Sequence, residues 1–252
     1  MKHRVEIGGM VYTWDDQRAI DISIPIFPDH RQPNCFYAPL FEVAPVRSGN
    51  FVGSTTEGGP VNFLNFRINP HGNGTHTECV GHISQGGESI NKTLKQFFSI
   101  AHLVTIYPEK AINGDKIITL AQLKGALSVH KCESLVIRTL PNHPDKKVRN
   151  YSGTNPAYLS EEAMHWIVEL GAQHLLIDLP SVDPEVDGGK LLAHRAFWDD
   201  SATDRSKCTI TELIYVDNNI KDDLYLLNIQ IGSFELDVSP SKPVLYVLEK
   251  EI

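Results

Sequence analysis

The 252-residue sequence predicts a mixed α/β domain of β/β/α type, built on a substantial mixed sheet. Three observations predict it. The first part of the chain, about 1–60, is rich in loops and short strands. The second part alternates short apolar, β-branched runs with amphipathic helical stretches. No repeat, low-complexity tract or composition break marks a linker, so residues 1–252 read as a single domain.

In chain order, Asp21-Ile22-Ser23-Ile24-Pro25 alternates like a short strand ended by proline. Residues 28–60 carry many Pro, Gly, Asn and Ser and read as loops, with a hairpin around Phe51 and Val52. The apolar run 61–68 reads as a strand leading into a histidine-rich segment. Residues 103–107 form the next strand. Thr119 caps a helix over 119–127, and Gln122, three residues on, completes a capping box. Residues 135–140 are a strand. The clearest helix spans 160–170, with Ser160 as N-cap, Glu161 and Glu162 at the positive end of the dipole, and Gly171 closing it. Residues 174–179 read as a buried strand, and two more lie near 225–231 and 244–248.

Composition removes several function classes. Apolar residues make up 41% of the chain, enough for a full hydrophobic core. The formal net charge is −8 and no basic stretch stands out, which argues against nucleic acid and anionic membranes as partners. No segment approaches the roughly 18 apolar residues of a membrane span. The first residues have no apolar run behind them, so no signal peptide is expected. Cys35, Cys79, Cys132 and Cys208 form no C-x-x-C pair, which disfavours a zinc ribbon or disulfide framework. A cytoplasmic location and a small-molecule substrate are the resulting expectations.

Three of the eleven histidines fall in segment 70–82, together with a carboxylate. Imidazole and carboxylate are the usual ligands of zinc, manganese and non-haem iron. In an extended chain His76 and Glu78 project to one face, and His82 follows if the chain stays extended past Gly81. Gly72 and Gly74 allow a tight turn ahead of them. Taken alone, His71 reads as a solvated loop residue, whereas His76, Glu78 and His82 together read as a metal or catalytic site. Thr75 is positioned to hydrogen-bond a ligand or a substrate oxygen. Cys79, of opposite parity to Glu78, reads as a small buried hydrophobe.

The run Gly74-Thr75-His76-x-Glu78-x-x-x-His82 resembles the signature His-x-Gly-Thr-His-x-Asp-x-Pro-x-His of the Putative cyclase family, which includes bacterial kynurenine formamidase and isatin hydrolase. Asp21-Ile22-Ser23-Ile24-Pro25 resembles that family's opening strand. Asp178-Leu179-Pro180-Ser181-Val182-Asp183 resembles its Asp-x-x-Ser-x-Asp stretch. Leu191-Leu192-Ala193-His194 and the later Thr211-Glu212-Leu213 resemble its late His and Glu. Three departures stand out: the family's first His aligns with Gly72, its Asp with Glu78 and its Pro with Val80. His71 is one residue early, and a bulge through Gly72 and Gly74 would bring it into place.

The resemblance implies a swivelling β/β/α fold and a metal-dependent amidohydrolase of the arylformamidase type. Such an enzyme cleaves a carbon–nitrogen bond other than a peptide bond, in a formamide or cyclic amide of a small aromatic substrate. It implies one or two divalent ions, zinc or manganese. His71, His76 and Glu78 fall at one metal position. His82, His194 and Glu212 fall at a second, or serve as acid/base and orienting groups, with His82 and His194 as the catalytic pair. Phe36, with Phe27 and Tyr37, is a candidate to stack on an aromatic ring, although core packing is the commoner use of such residues. Asp178, Ser181 and Asp183 read as turn residues. A homodimer or larger homo-oligomer is expected. Two other readings stay open: a ring-closing or dehydrating cyclase, and a small-molecule-binding protein that has lost its metal.

Overall fold

The computed structural model describes residues 1–29, 31–199 and 204–251. Its main sheet has eight strands, numbered here β1 (Ile20–Asp21), β2 (His76–Glu78), β3 (Phe98–Ile106), β4 (Ser134–Thr139), β5 (His174–Ile177), β6 (Thr209–Glu212), β7 (Leu224–Ile231) and β8 (Val238–Val247). Their order is β7-β3-β4-β5-β6-β2-β8-β1, and a further β7–β8 pairing closes seven of them into a ring. β3, β4, β5 and β6 run parallel, and the remaining pairings are antiparallel. Closure needs one long strand shared among several neighbours. β8 supplies it, pairing with β2 through 238–240 and with β7 through 241–247.

Strands buried on both faces explain the near-continuous apolar runs in the sequence. Successive residues face alternately outward to the helices and inward to the ring. Leu135, Ile137, Leu175 and Ile177 join the helix-side core. Val136 and Leu176, between them, join the interior with Leu103, Leu227 and Leu245. Three helices cover the outer face: α1 (Leu120–Ala126), α2 (Glu161–Glu169) and α3 (Leu192–Trp198). The capping box of Thr119 and Gln122 is present on α1, and Ser160 caps α2 by accepting from the Ala163 N–H. The expected strand over 61–68 is shorter. Among the described residues Leu64–Arg67 pairs only with Glu42–Pro45, and all four of its residues are exposed. The hairpin at Phe51 and Val52 is present, pairing with Arg47 and Ser48. All four cysteines are free and buried. Among the described residues no helix is long and apolar enough to cross a membrane.

Candidate metal centre

The site is built around β2, which lies between β6 and β8. His76 and Glu78 share a face of this strand, as period two requires. Antiparallel register sets Glu212 of β6 directly opposite His76, and Ile210, a helix-side core residue, opposite Glu78. A hydrogen bond between the Thr77 and Thr211 hydroxyls, 2.8 Å, ties the two strands together on the other face.

The approach to β2 departs from the sequence expectation. His71 is delivered by a helical turn, Pro70–Asn73, capped by the Asn69 side chain, and not by a bulge. The two glycines are required by close packing: a Cβ at Gly72 would lie 2.3 Å from that of Ala38, and one at Gly74 would lie 2.7 Å from Ile26 Cγ1. His82 does not follow by strand parity, because Val80–His82 turns as a 3-10 helix. That turn folds the chain back, so His82 Nε2 lies 3.9 Å from Glu78 Oε2.

All six expected ligands converge. His71 Nδ1 is 3.2 Å from Glu78 Oε2. His76 Nε2 is 3.3 Å from Glu212 Oε2. His194, carried on α3, places Nε2 3.1 Å from Glu78 Oε1 and 3.9 Å from Glu212 Oε1. Two sets of three, His71–His76–Glu78 and Glu78–His82–His194, have ligand atoms within 4.8 Å of one another. Glu212 is held by the Val182 N–H, which donates to Oε1 at 3.0 Å.

Two residues outside the expected set complete the cluster. Asp237 lies 3.0 Å from His71 Nε2 and 3.4 Å from His82 Nδ1. Only the tertiary structure brings it there: it immediately precedes β8, and its carbonyl accepts from the Cys79 N–H. Asp183 is more than the turn residue the sequence indicates. Its carboxylate accepts from His194 Nδ1 at 2.5 Å and from the backbone N–H groups of Ala193 and His194. Asp178 is also no simple turn residue: buried, it accepts from Lys146 and Thr139 and ties β4 to β5. Ser181 does keep a turn role, accepting from the Asp183 N–H.

Thr75 does not face an open site. It is buried, its hydroxyl donating to the Leu213 carbonyl at 2.5 Å and accepting from the Ile24 N–H at 2.8 Å. Phe36 is exposed on the loop whose Cys35 N–H donates to the Gly72 carbonyl. Two of the five non-glycine residues with positive φ among the described residues adjoin ligand-bearing elements. Leu191, next to α3, and Leu213, directly after Glu212, adopt φ of 49° and 54°. Such conformations cost on the order of 1–3 kcal/mol each and persist where the surroundings impose them.

The electrostatics suit a cation. The Gly74 carbonyl lies 2.9 Å from His76 Nδ1, so Nδ1 carries the hydrogen and Nε2 presents a lone pair. That Nε2 and Glu78 Oε2 are buried and make no well-aligned hydrogen bond among the described residues, although Glu212 and His71 lie 3.3 Å and 3.2 Å from them, an arrangement that a positive charge at this point would relieve. Elsewhere in the cluster protons supply that charge. Burial opposes charge on His71, but Asp237 and Glu78 override it and push its pKa up to about 10. Asp183 and Glu78 likewise overcome burial at His194 and raise it to about 10. Burial would raise Glu78, yet His194 and His71 hold it well below the usual carboxylate range. His71 and His82 hold Asp237 low in the same way. The donor set fits a divalent ion, whose binding would displace these protons.

The fold and this site can be compared with known proteins. No curated protein sequence matches. A solved structure described as a potential metal-dependent hydrolase with cyclase activity superposes with a TM-score of 0.66 at 14% identity, covering 91% of this chain and 97% of that one. An isatin hydrolase bound to the product analogue thioisatinate gives 0.66 and 14%, covering 91% and 92%. Isatin hydrolase A from Labrenzia aggregata, bound to benzyl benzoate, gives 0.66 and 13%, covering 91% and 93%. At these identities the likeness is one of fold. The family model described as Putative cyclase matches residues 20–184, a span that contains both segment 70–82 and the Asp178–Asp183 stretch. With well over half of its length matched by that model, the chain belongs to the Putative cyclase family.

Proposed function

We propose that this chain is a metal-dependent hydrolase of carbon–nitrogen bonds other than peptide bonds, acting on a formamide or cyclic amide of a small aromatic substrate. The observation that carries the reading is the convergence of buried ligand atoms, among them His76 Nε2 and Glu78 Oε2, which make no well-aligned hydrogen bond, within a histidine–carboxylate cluster. His71, His76 and Glu78 would hold one divalent ion, zinc or manganese; His82, His194 and Glu212 would serve a second or orient the reacting groups. When bound, such an ion lowers the pKa of a water from about 16 to about 7 and polarises a carbonyl oxygen. The chain's own residues then have distinct tasks. The Gly74 carbonyl and Asp183 fix the ring orientations of His76 and His194, as outer partners of ligating histidines do. His82, partly exposed and facing Asp237, carries a proton to the departing nitrogen. His71 and Asp237 border a cavity of about 350 Å³ with the apolar side chains of Leu40, Ile68 and Leu236, where the substrate body would lie.

The test is metal content and turnover together. Protein purified without chelator is expected to carry zinc or manganese and to release formate from an aryl formamide or a carboxylate from a cyclic aryl amide. Chelation should abolish turnover, and either ion should restore it. The reading fails if no transition metal binds even after incubation with zinc or manganese. A ring-closed or dehydrated product would favour cyclase chemistry on the same site.

The proposal includes a homodimer. The pair Glu42–Pro45 and Leu64–Arg67 stands apart from the main sheet, and an isolated two-stranded pair is marginal in water. Leu40, Val61, Phe63, Leu64 and Phe66 are all exposed on or beside it, an apolar patch of the kind that a second copy covers. Light scattering at micromolar concentration is expected to give twice the chain mass, and Phe63→Glu with Phe66→Glu should reduce it. A wild-type protein of single-chain mass would rule the dimer out.

A further inference from the structure

A second cavity, of about 410 Å³, lies at the ends of β3 and β4 and shares no lining residue with the cavity beside His71. Its charge is out of character for the chain. The sequence carries 31 acidic against 23 basic residues, yet among the described residues no Asp or Glu lines this cavity, while Lys110, Lys116, Lys146 and Arg149 all do. Two of the four are neutralised from outside it. Lys146 is bound to Asp178 at 2.7 Å, and Arg149 to Asp145 at 2.8 Å.

Lys110 and Lys116 are not neutralised. They sit directly opposite one another in the antiparallel pair Glu109–Lys110 and Lys116–Ile118, and neither has an ion-pair partner among the described residues. Like charges directly opposite on paired strands are destabilising, so the chain bears a cost here that an anion would remove. The walls are apolar and open to solvent: Tyr107 is 67% and Leu140 39% exposed, so both can pack against a bound ring. Tyr151 forms part of the inner wall beneath the Arg149 guanidinium, and its buried hydroxyl has no hydrogen-bond partner among the described residues.

We propose that this cavity is a binding site for a small organic anion, a carboxylate or phosphate group on an aromatic body, with Lys110 and Lys116 pairing the anionic group and Tyr107 and Leu140 packing the ring. The site is independent of the metal cluster.

Titration calorimetry with three probes tests it: benzoate, phenyl phosphate and neutral benzyl alcohol. Wild-type protein is expected to bind at least one of the anions, more weakly as salt rises, and to bind benzyl alcohol far less. Stronger binding of phenyl phosphate would identify a phosphate-bearing ligand, and stronger binding of benzoate a carboxylate. Lys110→Gln with Lys116→Gln should weaken anion binding by about 10-fold or more, since each removes a charge-assisted contact. Because the lysines repel each other, that variant should melt no lower than wild type. Arg67→Gln, at the cavity beside His71, should leave binding unchanged. The proposal is overturned if neither anion binds, if the double lysine variant binds as well as wild type, or if Arg67→Gln weakens binding as much.

Discussion

Replacing His76 with alanine is expected to abolish ion binding and, with it, hydrolysis. His76 is fully buried, and its Nε2 lone pair is set by the hydrogen bond from Nδ1 to the Gly74 carbonyl. Loss of an outer partner of a ligating histidine typically weakens metal affinity by roughly 10–100-fold. Loss of the ligand itself should exceed that, whereas Asp183→Asn, which keeps every ligand and weakens the contacts that orient His194 and the start of α3, should fall within it. Glu78→Gln is the companion variant, because it removes the charge and keeps the volume. Elemental analysis of the three purified variants, with circular dichroism to verify folding, gives the ranking. A folded His76→Ala protein with wild-type ion content would refute the metal centre at β2.

His82→Ala should lower turnover by about 10²–10⁴, the usual cost of losing a general acid or base. His82 is suited to that task by its position. Its side chain is 29% exposed, whereas that of His194 is 3% exposed, so of the two His82 is the one placed to exchange protons with solvent. Ion content distinguishes two ways of failing: an inactive protein that keeps its ion assigns His82 to proton transfer, and an inactive protein that loses it assigns His82 as a ligand. Asp237→Asn should produce a smaller loss by removing the carboxylate that faces both His82 and His71. An active, ion-loaded His82→Ala enzyme would disprove the site assignment as a whole.

Elements whose signals are local are legible in the amino-acid sequence. The capping box on α1, the Ser160 cap on α2 and the buried runs of β4 and β5 follow from hydrogen-bonding side chains and hydrophobic patterning within a few residues. The same holds for the ligand types in segment 70–82 and for the pairing of His76 with Glu78 on one face. What lies beyond a few residues was decided by the tertiary structure. Closure of the ring depends on β8 pairing with β2 as well as with the adjacent β7, and no local pattern encodes a partner such as β2, more than a hundred residues away. Asp237 enters the cluster through that closure alone. His82 arrives by a 3-10 turn where alternation indicates a strand, and His71 by a capped helical turn where a bulge is expected. Thr75 and Asp183 exchange their expected roles for the same reason. A hydroxyl or carboxylate in a loop can serve either backbone or site, and which of these it serves is set by which polar groups packing leaves without a partner.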